Sequence, residues 1–225
     1  MRDDICTIPV SEVFVVRDGC PICRMYKTVE DHIISYILGD AMMEIDVREE
    51  TNEKGFCEKH FAAMTSRRGR LQLALMLESH LNSVKLDVFD KKLFNSSDKK
   101  IKKTEKLSNS CFICSKVDWG ISRMIETVYR LYENEKDFRE LFNSQPQFCL
   151  THYRLLMSGL DKHKNPKYKN EFEKNLTAIT SDYLSSLMGD ISKYCSMYDY
   201  RGAASGNTDW GNSKDAVERA IAFLG

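Results

Sequence analysis

Cys20-Pro-Ile-Cys23, Cys57-Glu-Lys-His60, Cys111-Phe-Ile-Cys114 and Cys149-Leu-Thr-His152 are the stretches on which the reading of this chain turns. The order is Cys-x-x-Cys, Cys-x-x-His, then the same two patterns again. The two cysteines of the first pattern recur 91 residues later, and the cysteine and histidine of the second recur 92 residues later. A phenylalanine precedes the cysteine of each Cys-x-x-His (Phe56, Phe148), and an aromatic follows each histidine (Phe61, Tyr153). Four ligand-type residues recurring in order imply two copies of one supersecondary unit. Read as neighbours along the chain, Cys20, Cys23, Cys57 and His60 form one four-ligand site. Cys111, Cys114, Cys149 and His152 form the other. Each is a Cys3His set, and zinc is the expected ion, two per chain, with another metal or an iron–sulfur centre as the alternative.

The chemistry supports that choice. Zinc takes about four tetrahedral ligands and accepts thiolates and imidazoles. Residues three apart on a helix share a face, so Cys-x-x-His in a first helical turn aims both donors at one point. The free amides and positive end of that turn favour thiolate. Four protein ligands close the coordination sphere, so a hydrolytic zinc is not implied. A thiol redox centre is the competing reading of Cys-x-x-Cys. It usually follows a strand in a βαβ unit. None is visible here, and the second copy lacks the proline.

Hydrophobic spacing predicts helices. Pro21 suits a first helical position, and Met25, Val29, Ile33 and Ile37 form a stripe that stops at Gly39. Polar residues 44–55 read as a loop. Helices are expected from Cys57, over about 71–89, over about 115–134, near 137–143, and from Cys149 to near Gly159. Ser11 is a candidate cap for a short N-terminal helix. The longest stripe runs Tyr168, Phe172, Leu176, Ile179, Tyr183, Leu187, Ile191, Tyr194, Tyr198, read as a core helix rather than a seam to a second subunit. Asn212 or Ser213 should cap a last helix over 214–224, with Val217, Ile221 and Leu224 on one face. Strand signals are nearly absent.

The expected fold class is therefore all-α. Two helical repeats occupy 1–90 and 111–198, a Lys-rich solvated linker 91–110, and a tail loop and helix packing on the body 199–225. The 33 basic residues balance the 33 acidic ones, so composition gives no support to nucleic-acid binding. No apolar run reaches the roughly 18 residues of a membrane span. The charged start, Met1-Arg2-Asp3-Asp4, lacks a signal-peptide core. The expectation is a cytoplasmic protein, where six clustered cysteines are metal ligands rather than disulfides.

Outside those sets the sequence offers little chemistry. There is no Ser/His/Asp set, phosphate loop or paired-carboxylate pattern, and no catalytic residue is assigned. His32 and His80 read as packed or capping histidines, His163 as solvated, and Cys195 as a buried small apolar residue. Tyr200, Arg201, Trp210 and Asn212 could line a ligand cleft; Trp210 packing back on the body is the plainer reading.

Gly19-Cys-Pro-Ile-Cys23, Asn52-Glu-Lys-Gly-Phe-Cys57-Glu-Lys-His60-Phe61, Phe148-Cys149-Leu-Thr-His152 and Trp210-Gly-Asn-Ser-Lys-Asp215 together resemble an uncharacterised bacterial family, found mainly in anaerobic Gram-positive bacteria. The resemblance covers the full chain and implies a cytoplasmic bacterial protein folding as one entity. It supplies no catalytic residue. The functional expectation is a zinc-stabilised, non-enzymatic helical module for a protein or small-molecule partner. The alternatives are a thiol redox or metal sensor, and an enzyme with a cleft near the tail.

Overall fold

A computed structural model describes residues 5–90, 97–198 and 209–225, apart from the side chains of 40, 42 and 90. Every regular element among the described residues is a helix, with no strand among them. The chain folds as two compact units, a terminal one (1–25 with 123–225) and a central one (26–122). This division does not follow the repeat boundaries at 90 and 111. The first 25 residues belong with the second half of the chain.

The central unit holds most of α2 (Pro21–Ile37), then α3 (Ile45–Lys54), α4 (Glu58–Thr65), α5 (Arg70–Val84), α6 (Ser97–Ser108) and the start of α7 (Phe112–Asn134). α2 starts at proline as its sequence requires, and Ile22, Met25, Ile34 and Ile37 are buried. The polar stretch 44–55 is not a loop. Val47 and Thr51, one turn apart, are buried and fix the inner face of α3. Gly55 ends α3 at φ 60°, ψ −157°, a conformation open essentially to glycine alone. The segment expected as a solvated linker carries α6, whose residues are largely exposed but whose Lys103 and Lys106 pair with Asp87 and Glu53. Residues 91–96 lie outside the described residues. His80 behaves as a capping histidine, its Nδ1 3.1 Å from the Asn52 carbonyl in the last turn of α3. His32 is exposed rather than packed.

In the terminal unit, α1 (Thr7–Val15) buries Val10, Val13 and Phe14. Ser11 lies inside this helix and does not cap it. The unit continues through the rest of α7, α8 (Lys136–Asn143), α9 (Leu150–Ser158), α10 (Pro166–Met197) and α11 (Ala216–Leu224). Its core is aromatic. Phe142 sits 5.1 Å from Tyr132, 5.0 Å from Phe148 and 4.7 Å from Phe172, ring centre to ring centre. Phe14 joins from α1, 5.0 Å from Phe138. His163, expected in water, is buried within this cluster, 4.9 Å from both Tyr129 and Phe172. Its Nδ1 is 3.1 Å from the Glu133 carboxylate. The surrounding lysines hid a helix-end turn that folds inward.

Asn165 caps α10, its side chain accepting from the Lys167 amide at 3.0 Å. Phe172, Leu176 and Leu187 are buried, as a core helix requires. Cys195, on the same helix, is exposed, because it falls off that stripe. Asp215, not Asn212 or Ser213, precedes α11. Ala216 and Phe223 face the core, whereas Ile221 and Leu224 are 66 % and 65 % exposed. The predicted apolar face of the last helix therefore points outward.

Candidate metal sites

Two quartets of donor atoms form, and their membership crosses the two halves of the sequence. Cys20 and Cys23 meet Cys149 and His152 in the terminal unit. Cys57 and His60 meet Cys111 and Cys114 in the central unit. Within each set the four donor atoms lie within 4.8 Å of one another. All eight expected donor residues fall in these clusters, but not in sequence-neighbour pairs. Each Cys-x-x-Cys is completed by the Cys-x-x-His of the other copy.

Local structure explains the placement. Cys57 and Cys149 are the residues before α4 and α9, with nearly the same extended backbone (φ −76°, ψ 163° and φ −71°, ψ 160°). Each therefore hangs at the start of a short helix, with its histidine one turn in. Cys111 precedes α7 and Cys20 precedes α2, with Cys114 and Cys23 in the first turn. In the central unit, the Phe112 amide donates to the Gly55 carbonyl at 2.9 Å and the Ser110 hydroxyl to the Lys54 carbonyl at 2.7 Å. Those bonds hold the start of α7 against the turn that carries Cys57. In the terminal unit, Gly19 (φ 66°) lies beside Gln147, which brings the approach to Cys20 next to the approach to Cys149.

The spacings fit one tetrahedral ion in each set. Zinc–sulfur bonds of about 2.3 Å and zinc–nitrogen bonds of about 2.0 Å imply S···S near 3.8 Å and S···N near 3.5 Å. The Cys23 and Cys149 sulfurs are 3.6 Å apart, and those of Cys57 and Cys114 are 3.9 Å apart. His152 Nδ1 lies 3.0, 3.3 and 3.6 Å from the sulfurs of Cys149, Cys23 and Cys20. His60 Nδ1 lies 3.1, 3.2 and 3.5 Å from those of Cys57, Cys111 and Cys114. All six sulfurs are unbridged. Both histidines offer Nδ1 to the shared point.

Without an ion, the crowded donors perturb one another. Burial and the neighbouring Cys111 and Cys57 sulfurs push the Cys114 thiol up to about 12. Hydrogen bonds to Cys149 and Cys20 raise Cys23, while hydrogen bonds from Cys20 and Cys23 hold Cys149 well below the usual thiol range. Burial alone would lower His152, but the Cys149 and Cys20 sulfurs outweigh it and push the imidazole up to about 9. Three sulfurs this close ionise together only around a cation.

A carboxylate stands behind the histidine of the central set. His60 Nε2 is 2.9 Å from the Glu30 carboxylate, which also accepts from Lys59 at 2.7 Å. Burial alone would raise the Glu30 carboxyl; Lys59 and His60 together hold it below its ordinary value. A carboxylate behind a histidine fixes the tautomer that presents the other nitrogen to a metal. Glu30 was not legible as a functional residue, since nothing in the spacing of α2 singles it out. The Cys114 amide also points to the Cys111 sulfur at 3.5 Å.

Of the four proposed cleft residues, Trp210 and Asn212 lie among the described ones. Tyr200 and Arg201 lie outside the described residues. Trp210 is half-buried and packs edge-on to Tyr194 and Tyr198, at 5.7 and 5.6 Å. Asn212 is exposed, and its carbonyl accepts from Arg219.

Fold and sites define an all-α protein with two Cys3His clusters that could hold metal ions. The chain belongs to a family of unknown function, DUF6062, whose profile it matches over residues 1–225. Comparison with curated proteins and with solved structures gave no match. Among the described residues no helix is long and apolar enough to cross a membrane.

Proposed function

We propose that this protein binds two zinc ions as structural clamps, one in each unit, and serves as a non-enzymatic binding or regulatory module. The observation that carries this reading is the pair of closed donor sets, each with three sulfurs and one imidazole nitrogen within 4.8 Å. Four protein donors leave no position for a substrate or a catalytic water. When bound, zinc would cross-link segments far apart in sequence and neutralise most of the charge on three thiolates. The residues that hold it are Cys20, Cys23, Cys149 and His152, and Cys57, His60, Cys111 and Cys114. The unbridged cysteines support a reducing compartment such as the bacterial cytoplasm. The partner is a protein or a small molecule.

Structural zinc contributes about 10–16 kcal/mol of apparent binding energy in small peptides. Whole domains are stable by only about 5–15 kcal/mol. Metal removal should therefore unfold the unit that loses its ion. Elemental analysis of purified protein should give about two zinc per chain, and chelation should reduce helicity measured by circular dichroism. Protein that is metal-free, folded and fully stable would refute the proposal.

A further inference from the structure

The two clusters present different faces to solvent. Among the eight ligands, Cys23 alone is exposed. Cys57 and Cys114 are half-buried, and Cys20, Cys111 and Cys149 are buried. Thiolate reactivity follows access and ionisation, and metal coordination supplies the ionisation. Three thiolates on one divalent zinc leave a net negative charge, which favours attack by an exposed sulfur on an electrophile. A second sulfur is already in place, because Cys149 Sγ is 3.6 Å from Cys23 Sγ. No cysteine of the central cluster is exposed to the same degree.

We propose that the terminal cluster is a hydroperoxide-reactive site. Oxidation would start at Cys23, close a Cys23–Cys149 disulfide and release that cluster's ion alone. The inference rests on the zinc reading above. In the first step the Cys23 thiolate attacks the distal oxygen of the hydroperoxide. The O–O bond breaks, the alcohol leaves as its alkoxide and takes up a proton from water, and Cys23 becomes a sulfenic acid. In the second step the Cys149 thiolate attacks the Cys23 sulfur. The S–O bond breaks, and hydroxide leaves. Two thiolates have given two electrons to one peroxide. The ion then keeps only Cys20 and His152, and two donors do not hold it.

The test uses the full-length protein with Cys6→Ser and Cys195→Ser, which removes the two thiols outside the clusters. Bound zinc is counted first. Hydrogen peroxide is then added, released zinc is followed with a chromophoric chelator, and cysteines are mapped by alkylation and mass spectrometry. The expected result is two ions at the start. One is released at least about tenfold faster than the other, because Cys23 is the exposed ligand. A Cys23–Cys149 linked peptide appears with it, while Cys57, Cys111 and Cys114 remain alkylatable. Release of both ions at one rate overturns the proposal. So does first oxidation in the central cluster, or retention of both ions while free thiols in solution are oxidised. Protein holding no ion before peroxide is added refutes the zinc reading itself, a failure distinct from these.

Discussion

Removing two ligands from sequence-neighbouring patterns should empty both sites, whereas removing two from distant patterns should empty one. Cys23→Ala combined with His152→Ala touches a single quartet. Cys23→Ala combined with Cys57→Ala touches both. With two ions in the parent, the first double variant should keep one and the second none. Pairing by sequence neighbours requires the opposite. The crossed arrangement has an entropic cost. Cys23 and Cys149 are 126 residues apart, against 34 for Cys23 and Cys57. Loop closure scaling as three-halves RT ln n puts the difference at about 1.2 kcal/mol. That is roughly a tenth of what a structural ion contributes, so helix packing can override it. Stability should couple in the same pattern. Once Cys23→Ala has lost its ion, His152→Ala should lower the melting temperature little further, while Cys57→Ala should add its full effect. Zinc counting by mass spectrometry and thermal unfolding by circular dichroism read both quantities. One ion retained by Cys23→Ala/Cys57→Ala and none by Cys23→Ala/His152→Ala would refute the crossed partition.

Glu30→Gln should weaken the central site about 10–100-fold in a chelator competition and leave the terminal site unchanged, because an outer-shell carboxylate orients its histidine. Gly55→Ala should cost about 1–3 kcal/mol in denaturant unfolding of the zinc-loaded protein, since the new Cβ would also meet His80 Nε2 at 3.0 Å. His163 gives a pH dependence with a definite sign. Burial pushes its imidazole below the ordinary value of 6.5, against the opposing Glu133 carboxylate. Its contribution is intact above that value. As pH falls below it, the unfolded chain takes up a proton that the folded chain refuses, so stability declines until the folded pKa is passed. His163→Phe should flatten the loss measured between about pH 7 and pH 5, and an unchanged slope would show that another group carries it.

The helices were legible wherever apolar spacing was regular, and so were the eight cysteines and histidines that cluster, because three- and four-residue periodicities and the Cys-x-x-Cys and Cys-x-x-His spacings are local properties. Features set by tertiary burial were not. His163 sits among Lys162, Lys164 and Lys167, and polar neighbours along the chain say nothing about Tyr129 and Phe172 across it. The last helix illustrates the converse. Val217, Ile221 and Leu224 share a face, but α11 packs through Ala216 and Phe223 instead.

The partition of the ligands failed for a related reason, and helix length shows how. α2 has 17 residues and carries the chain about 25 Å from its own Cys-x-x-Cys. Read as an extended loop, residues 44–55 could span about 40 Å and bring Cys57 back. Wound into α3, their ten helical residues rise only about 15 Å. The same contrast holds in the second half, where the 23 residues of α7 climb about 35 Å and the eight of α8 return about 12 Å. Each Cys-x-x-His completes the Cys-x-x-Cys of the other copy. Val47 and Thr51, four residues apart within an otherwise polar stretch, were the signal that α3 is a helix. With α3 wound, the reach of that stretch falls by about 25 Å, and helix packing rather than reach sets the partition.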